Sequence, residues 1–277
     1  MHQSLASKDA ILHALKGRFH LRWYLFGVAG VATASTWLGR WEDAVTEGQT
    51  ALSMGEEFSD HSVISFASWI LAMAYTAKGD LVRALEYGEL AVQKAPTPAD
   101  KTWSQGFLAW AWCRAGEPRR GIKVLDQVVS LQRAMRFIWG EAFALFLAEG
   151  YWLAGEHDKA RQTLEEHLAI AERCGMKFHI GSAHRLLGEV ALSTNPAQVE
   201  APLAALHFEQ SIAILQQIKA ENELALAYAG YGRLYQQQGN TTQAREYLTR
   251  ALAIFERLGT LGEPDKVRQA LAALPRE

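Results

Sequence analysis

Small residues recur along this chain in a fixed register around a series of glycine turns. The first four turns follow one another at intervals of 37 to 40 residues, and the fifth comes 84 residues after the fourth. The turn glycines are Gly39, Gly79, Gly116, Gly155 and Gly239. A small residue stands seven positions before each of them: Ala32, Ala72, Ala109, Ala148 and Gly232. The register predicts repeated antiparallel helix pairs, because small residues let two backbones approach closely and glycine lets the chain reverse.

The second helix of each pair carries its own small residue five positions after the turn. It is Ala44, Ala84, Gly121, Ala160 or Ala244. The long gap before Gly239 holds a further repeat, with Gly188 in its first helix and Ala204, Phe208 and Ser211 in its second, after an insertion near Asn195. We predict repeats at about 20–57, 58–97, 98–135, 136–176, 177–219 and 220–259, with cap helices over about 5–16 and 264–274.

One helix pair cannot bury its own apolar stripe, so neighbouring pairs must stack. Hydrophobic residues make up 49% of the chain, which is enough for a continuous core. No run alternates with the period of two that a half-buried strand requires. The predicted fold is therefore all-α: a right-handed superhelical solenoid of about six helix hairpins with terminal caps, forming a single repeat domain over residues 1–277.

The pattern resembles tetratricopeptide repeats, in which a further small residue follows the turn by twelve positions. Ala51, Ala91 and Ala251 fill that position, whereas Val128, His167 and Ser211 depart from it. The long period resembles the arms of large bacterial signalling proteins, namely nucleotide cyclases with an AAA-type ATPase module and maltotriose-responsive transcription activators. The resemblance implies a non-catalytic arm of a longer protein.

Charge and cysteine content narrow the setting of the protein. The 28 basic and 30 acidic residues give a net charge of -2, and neither half is basic, so we expect no nucleic-acid or membrane partner. The uncharged stretch Trp23–Gly39 falls in the repeat register and is interpreted as a buried repeat helix rather than a membrane span or signal peptide. Cys113 and Cys174 are interpreted as small buried residues of a protein in the reducing cytoplasm.

We find no motif of an enzyme in the sequence. The phosphate-binding loop, the zinc-protease motif, the nucleophile elbow and the dinucleotide fingerprint are all absent from it. His179 and His184 are five residues apart, which places their rings on different faces of a helix. We therefore expect neither catalysis, nor a cofactor, nor a metal site.

Tryptophan gives the most informative hint of a working surface, because all nine lie within the first 152 residues. In tetratricopeptide repeats the first helices line the concave surface, and the resemblance carries their groove positions onto this chain. The implied partner-binding groove consists of Trp69, Met73, Trp103, Trp110, Glu149, Trp152, Arg185, Glu189 and Arg233. Trp69, Met73 and Trp110 would form an exposed apolar patch, and Trp112 would pack in the core. The alternative is that these rings only pack between repeats.

The sequence thus favours a protein-interaction scaffold or regulatory arm of a bacterial signalling protein. Its partner would be a protein or a peptide, including another domain of the same polypeptide, and self-association into a homo-oligomer is compatible with the pattern. The alternative function is a sensor of a small ligand such as a sugar. For that role, tryptophan faces would stack on the ligand while Glu149 orients it.

Overall fold

The computed structural model describes residues 21–135, 140–193 and 200–275. Over these residues the chain is helical and contains no strand, which confirms the predicted all-α class. The predicted cap helix over 5–16 and the insertion near Asn195 lie outside the described residues. The chain divides into two compact units, unit 1 (Met1–Val128) and unit 2 (Val129–Glu277).

Unit 1 is built from successive helices that pack against their neighbours in sequence. They are α1 (Leu21–Trp37), α2 (Trp41–Glu57), α3 (His61–Lys78), α4 (Leu81–Lys94), α5 (Pro98–Arg114) and the greater part of α6 (Pro118–Ala134). The odd helices also contact one another, α1 with α3 and α3 with α5. They form a continuous layer, to which the even helices are added as a second layer.

Unit 2 repeats this two-layer arrangement. Its helices are the end of α6, then α7 (Glu141–Leu153), α8 (His157–Arg173), α9 (Lys177–Ser193), α10 (Ala201–Ile218), α11 (Glu221–Gln237), α12 (Thr241–Leu258) and α13 (Glu263–Ala272). The odd helices α7, α9 and α11 contact one another in sequence, and α13 packs on α12. The division of the chain into six repeats within one domain stays a prediction.

The predicted glycine turns are confirmed. All five turn glycines adopt the left-handed conformation, with φ between 73° and 94°, which a side chain would disfavour. The next helix often begins with a side-chain cap on its first turn. The carboxylate of Asp80 accepts from the Arg83 amide, and the side chain of Asn240 accepts from the Gln243 amide. These contacts satisfy amide groups that the first helical turn leaves without partners.

The small residues lie where helices cross, as the register requires. Fully buried alanines occupy these positions in both layers: Ala32, Ala44, Ala72, Ala84, Ala109, Ala148, Ala160, Ala204 and Ala244. Gly121 is a stricter case than its sequence position indicates. A Cβ atom there would stand 2.3 Å from Cys113 Sγ and 2.4 Å from the Ala109 carbonyl oxygen, so alanine does not fit. Glycine here sets the closest approach of α6 to α5.

The two layers differ in how completely they are buried. Within α9, every residue from His179 to Leu192 except Ile180 is buried, so this helix is covered on nearly all sides. In α4 only a stripe of Ala84, Gly88 and Ala91 is buried.

Among the described residues, no helix combines the length and the hydropathy required to cross a bilayer. The uncharged stretch forms α1 and its turn, whose Val28 and Ala32 are buried.

One cysteine prediction is wrong. Cys113 is buried as expected, but Cys174 is exposed. Cys174 caps the carboxyl end of α8, where the chain leaves the helix through Gly175 at φ 65°. Glu172 and Arg173 of the last helical turn are exposed as well, so this end of the helix lies at the surface.

Candidate functional site

The nine predicted groove residues all lie on odd helices, but they fall into two chemically different sets. The set in unit 1 is apolar, with Trp69 and Met73 on α3 and Trp103 and Trp110 on α5. The set in unit 2 is mostly charged: Glu149 and Trp152 on α7, Arg185 and Glu189 on α9, and Arg233 on α11.

Five aromatic side chains of unit 1 form a continuous aromatic face, Phe26, Phe66, Trp69, Trp103 and Phe107. The rings of Trp69 and Phe107 are stacked, with centroids 4.7 Å apart and planes at 4°. Phe66 meets Trp69 edge to face at 4.7 Å, and Phe26 meets Phe66 at 5.9 Å. Trp103 lies 6.2 Å from Trp69. The face therefore runs across α1, α3 and α5 without interruption, in the geometries that aromatic pairs prefer.

The expected exposure of the apolar patch is wrong for all three of its members. Trp69 retains only 9% of its surface, Trp110 7% and Met73 4%. Neighbouring helices cover both α3 and α5, so these side chains pack between helices. Solvent reaches the aromatic face elsewhere: Phe26 is 61% exposed, and Phe66 and Trp103 are half-buried. Partner binding by the predicted residues stays a prediction.

The two neighbouring tryptophans of α5 have exchanged the expected roles. Trp110 is the buried one, with the Arg114 guanidinium 5.6 Å from its ring centroid. Arg114 also donates from Nη1 to the Thr76 carbonyl at 3.1 Å and so joins α5 to the end of α3. Trp112 is only half-buried, and Arg120 of α6 lies 3.8 Å above its ring.

The charged set of unit 2 forms a network of ion pairs across the odd helices. Arg185 Nε donates to Glu223 Oε2 at 2.8 Å, and Arg233 Nη2 donates to Glu189 Oε1. Arg185 and Glu189 are buried, with 5% and 4% of their surfaces exposed. Burial alone would lower the pKa of Arg185, but the carboxylates of Glu223, Glu149 and Glu189 offset it, and the pKa is raised. Arg185 is therefore a permanent buried cation.

Trp152, the remaining predicted residue of unit 2, is not part of this ion-pair network. It is half-buried, and its Nε1 donates to Ser193 Oγ at the end of α9, 3.1 Å away. Glu149, one turn earlier on α7, is buried and acts electrostatically on Arg185. The structure thus brings Glu149, Arg185, Glu189 and Arg233 into one network and leaves Trp152 beside it on the same helix.

Sequence reasoning missed residues at both sites. Phe26, Phe66 and Phe107 complete the aromatic face, and Glu223 holds Arg185. The sequence contains a signal for Phe66 and Phe107, because each lies three or four residues from a tryptophan and therefore on the same side of its helix. Glu223 gave no such signal, since its contact with Arg185 joins residues 38 positions apart.

Two stretches of the chain match models of the family described as Tetratricopeptide repeat. The matched residues are 143–175, which cover α7 and α8, and 225–257, which cover most of α11 and α12. Each match thus spans one helix hairpin. The chain is a tetratricopeptide-type repeat protein, and such repeats support a role as a protein-interaction scaffold.

Solved structures share the fold at low sequence identity. A Rap protein complexed with Competence and Sporulation Factor matches with a TM-score of 0.65 at 13% identity, over 86% of this chain and 70% of that one. The apo form of the quorum sensor NprR from B. thuringiensis matches with a TM-score of 0.54 at 15% identity, over 86% and 76%. BtubC from P. vanneervenii matches with a TM-score of 0.54 at 15% identity, over 86% and 94%. No curated protein sequence matches the chain.

Proposed function

We propose that the chain is a regulatory interaction arm of a bacterial signalling protein, without catalysis of its own, and that it binds a protein or peptide through the aromatic face of unit 1. The observation that carries this is the exposure of Phe26 beside the half-buried rings of Phe66 and Trp103. Aromatic anchors with a buried base and an open edge are typical of binding hot spots.

The chemistry of the aromatic face indicates what it would bind. None of its five side chains is charged, and Trp69 and Phe107 form its buried floor. Such a surface favours a segment that offers its own apolar or aromatic side chains. That segment could belong to a separate protein or to another domain of the same polypeptide.

The structural relatives support a regulatory setting. One is a Rap protein complexed with Competence and Sporulation Factor, and another is a quorum sensor. Because their sequence identity is low, they support the proposal through the fold and not through matched site residues.

A peptide-binding experiment tests the proposal. Short peptides are selected from a random library on the purified chain, and their affinities are then measured by fluorescence anisotropy. Trp103→Ala and Phe26→Ala should each weaken the selected peptide about tenfold or more, the scale of a hot-spot truncation. Val82→Ala is the matched control, because Val82 is 70% exposed on α4 of the same unit but lies outside the aromatic face.

The outcome is decided by variants that keep their fold. Circular dichroism should show the same helix content for all three variants. If Trp103→Ala and Phe26→Ala bind the peptide as tightly as the unsubstituted chain, or if Val82→Ala loses as much affinity, the aromatic face is not the binding surface.

A small-ligand sensor is the second candidate, favoured by Trp152. This half-buried ring lies one helical turn from Glu149 on α7, and a tryptophan ring beside a carboxylate suits a sugar. A thermal-shift screen of sugars tests it. A sugar that stabilises the chain, and fails to stabilise Trp152→Ala, would favour the sensor over the peptide-binding arm.

A further inference from the structure

Two histidines outside the sites described above meet on neighbouring helices of unit 2. His184 lies on α9 and His207 on α10, and their Nδ1 atoms are 3.1 Å apart. The rings are stacked, with centroids 5.3 Å apart and planes at 29°. His184 is buried on helix α9, whereas His207 is half-buried at the surface.

We propose that His184 and His207 form a binding site for a late first-row divalent metal ion, in particular Zn²⁺. Two imidazole nitrogens bound to one tetrahedral Zn²⁺ at about 2.0–2.1 Å would be separated by about 3.3–3.4 Å. The observed separation of 3.1 Å is within a few tenths of an ångström of that spacing. Imidazole is also the side chain that such ions prefer among nitrogen ligands.

The helices hold the pair together in advance of binding. α9 and α10 form a closely packed antiparallel hairpin, and Gly188 on α9 allows the Phe208 ring to come within 2.8 Å of the position a Cβ would take. His207 precedes Phe208 in the sequence, so this anchored ring limits the movement of its neighbour. A rotation of the half-buried His207 ring would turn its Nδ1 lone pair toward a metal ion bound at His184 Nδ1, while its exposed edge admits water.

The protonation state also suits metal binding. In the observed contact one Nδ1–H donates and the other Nδ1 accepts, which requires at least one neutral ring. The neutral ring is the form that coordinates a metal.

The number of protein ligands sets the expected strength of the site. Within the described residues, no third His, Cys, Asp or Glu joins the pair to make a three-ligand set. Water would complete the coordination shell, so we expect micromolar rather than nanomolar affinity and rapid exchange. The Glu165 carboxylate acts on His207 in the direction that favours a nearby cation, and Arg161 acts in the opposite direction.

Calorimetric titration of Zn²⁺ into the chain, freed of any histidine tag and treated with a chelator, tests the site. We expect close to one equivalent to bind, and His184→Gln and His207→Gln each to weaken that binding about tenfold or more, because each removes one of two protein ligands. His61→Gln, which replaces an exposed histidine of α3, should leave binding unchanged. Zn²⁺ should also raise the melting temperature of the unsubstituted chain and not that of the two pair variants.

The variants separate this site from the other histidines. His207→Gln alters a half-buried position, so it remains informative if the buried His184→Gln fails to fold. Copper(II) bound to the chain should give an electron paramagnetic resonance spectrum with hyperfine structure from two nitrogens, and the His207→Gln variant should show fewer coupled nitrogens. Equal Zn²⁺ affinity in the unsubstituted chain and in folded His207→Gln would overturn the proposal, as would loss of binding in His61→Gln.

Discussion

In unit 1 aromatic rings join the odd helices, whereas in unit 2 buried ion pairs are added to the apolar contacts between them. The stacked pair of Trp69 and Phe107 joins α3 to α5, and the pair of Arg185 and Glu223 joins α9 to α11. The backbones at both places follow the same register of buried small residues. The register therefore sets how closely the helices approach, whereas the chemistry of the contacts between neighbouring odd helices varies.

The two kinds of contact should also differ in how much stability a single substitution removes. Truncating one ring of an aromatic contact costs the buried apolar area of that ring. Removing one partner of a buried ion pair leaves the other charge buried and uncompensated, which costs more. Unit 2 should therefore tolerate single substitutions in its odd layer less well than unit 1 does.

Arg185→Leu should cause the largest loss of stability, about 3–5 kcal/mol, because it removes the cation that offsets Glu223, Glu149 and Glu189. Urea unfolding measures this free energy. Adding Glu223→Leu to Arg185→Leu should recover part of the loss, since one of the stranded carboxylates is then gone. The matched control is Arg257→Leu, which breaks an exposed pair with Glu221 and should cost less than about 1 kcal/mol.

If Arg185→Leu costs no more than Arg257→Leu, the buried network contributes nothing that an exposed pair does not. The two units would then differ in the type of contact between their odd helices, but not in how much that contact contributes to the free energy of unfolding.

Trp110→Ala should cost about 3 kcal/mol, near the lower end for a truncated core tryptophan, because 7% of the ring remains exposed. Trp112→Ala should cost about half as much, since its ring is half-buried and the exposed Arg120 guanidinium lies over it. Urea unfolding of both variants gives the comparison. The reverse order would restore the expectation drawn from the sequence, with Trp112 in the core.

The sequence predicted the backbone of this fold better than its surfaces. The turn glycines and the buried alanines follow from local spacing, because steric limits at a turn or a helix crossing act on single positions. The burial of Trp69 and Trp110 does not follow, since it depends on which neighbouring helices cover α3 and α5. The periodicity of one helix predicts the apolar stripe of that helix. It does not predict which other helices will cover its remaining sides.

The histidine pair was missed for the same reason. His184 and His207 lie 23 positions apart, on different helices, and no motif spacing joins them. Sequence reasoning compared His184 with His179 instead, because they are near in sequence. Only the contact of α9 with α10 brings the correct partner to His184.

The pH dependence of stability should come in part from His179 of unit 2. Burial, followed by the charge of His167, lowers the pKa of His179 to about 3. The unfolded chain binds a proton at this residue near pH 6.5 and the folded chain does not, so stability is fully present above pH 6.5 and falls as the pH falls below it. His179→Leu should reduce the slope by at most about 1.4 kcal/mol per pH unit between about pH 6 and 4. Urea unfolding at several pH values measures the slopes, and equal slopes for the two chains would contradict this assignment.

The smallest expected effect compares the units at equivalent backbone positions. Ser59 of unit 1 and Lys219 of unit 2 adopt the left-handed conformation, with φ of 53° and 58°, and each follows an even helix. Gly175 and Gly259 take the same conformation after α8 and α12. A side chain costs about 1–2 kcal/mol in this conformation, and glycine offsets about half of the gain through its freedom in the unfolded chain.

Lys219→Gly and Ser59→Gly should each therefore raise the free energy of unfolding by about 0.5–1 kcal/mol. Since the effect arises in the backbone, it should be the same in both units, unlike the effects of Arg185→Leu and Trp110→Ala. The control is Gly259→Ala, which places a side chain in the left-handed conformation and should lower stability by a similar amount. A gain in one unit and a loss in the other would show that contacts of Ser59 or Lys219, and not the turn itself, decide these positions. The shared register would then fix less of the backbone than the glycine turns indicate.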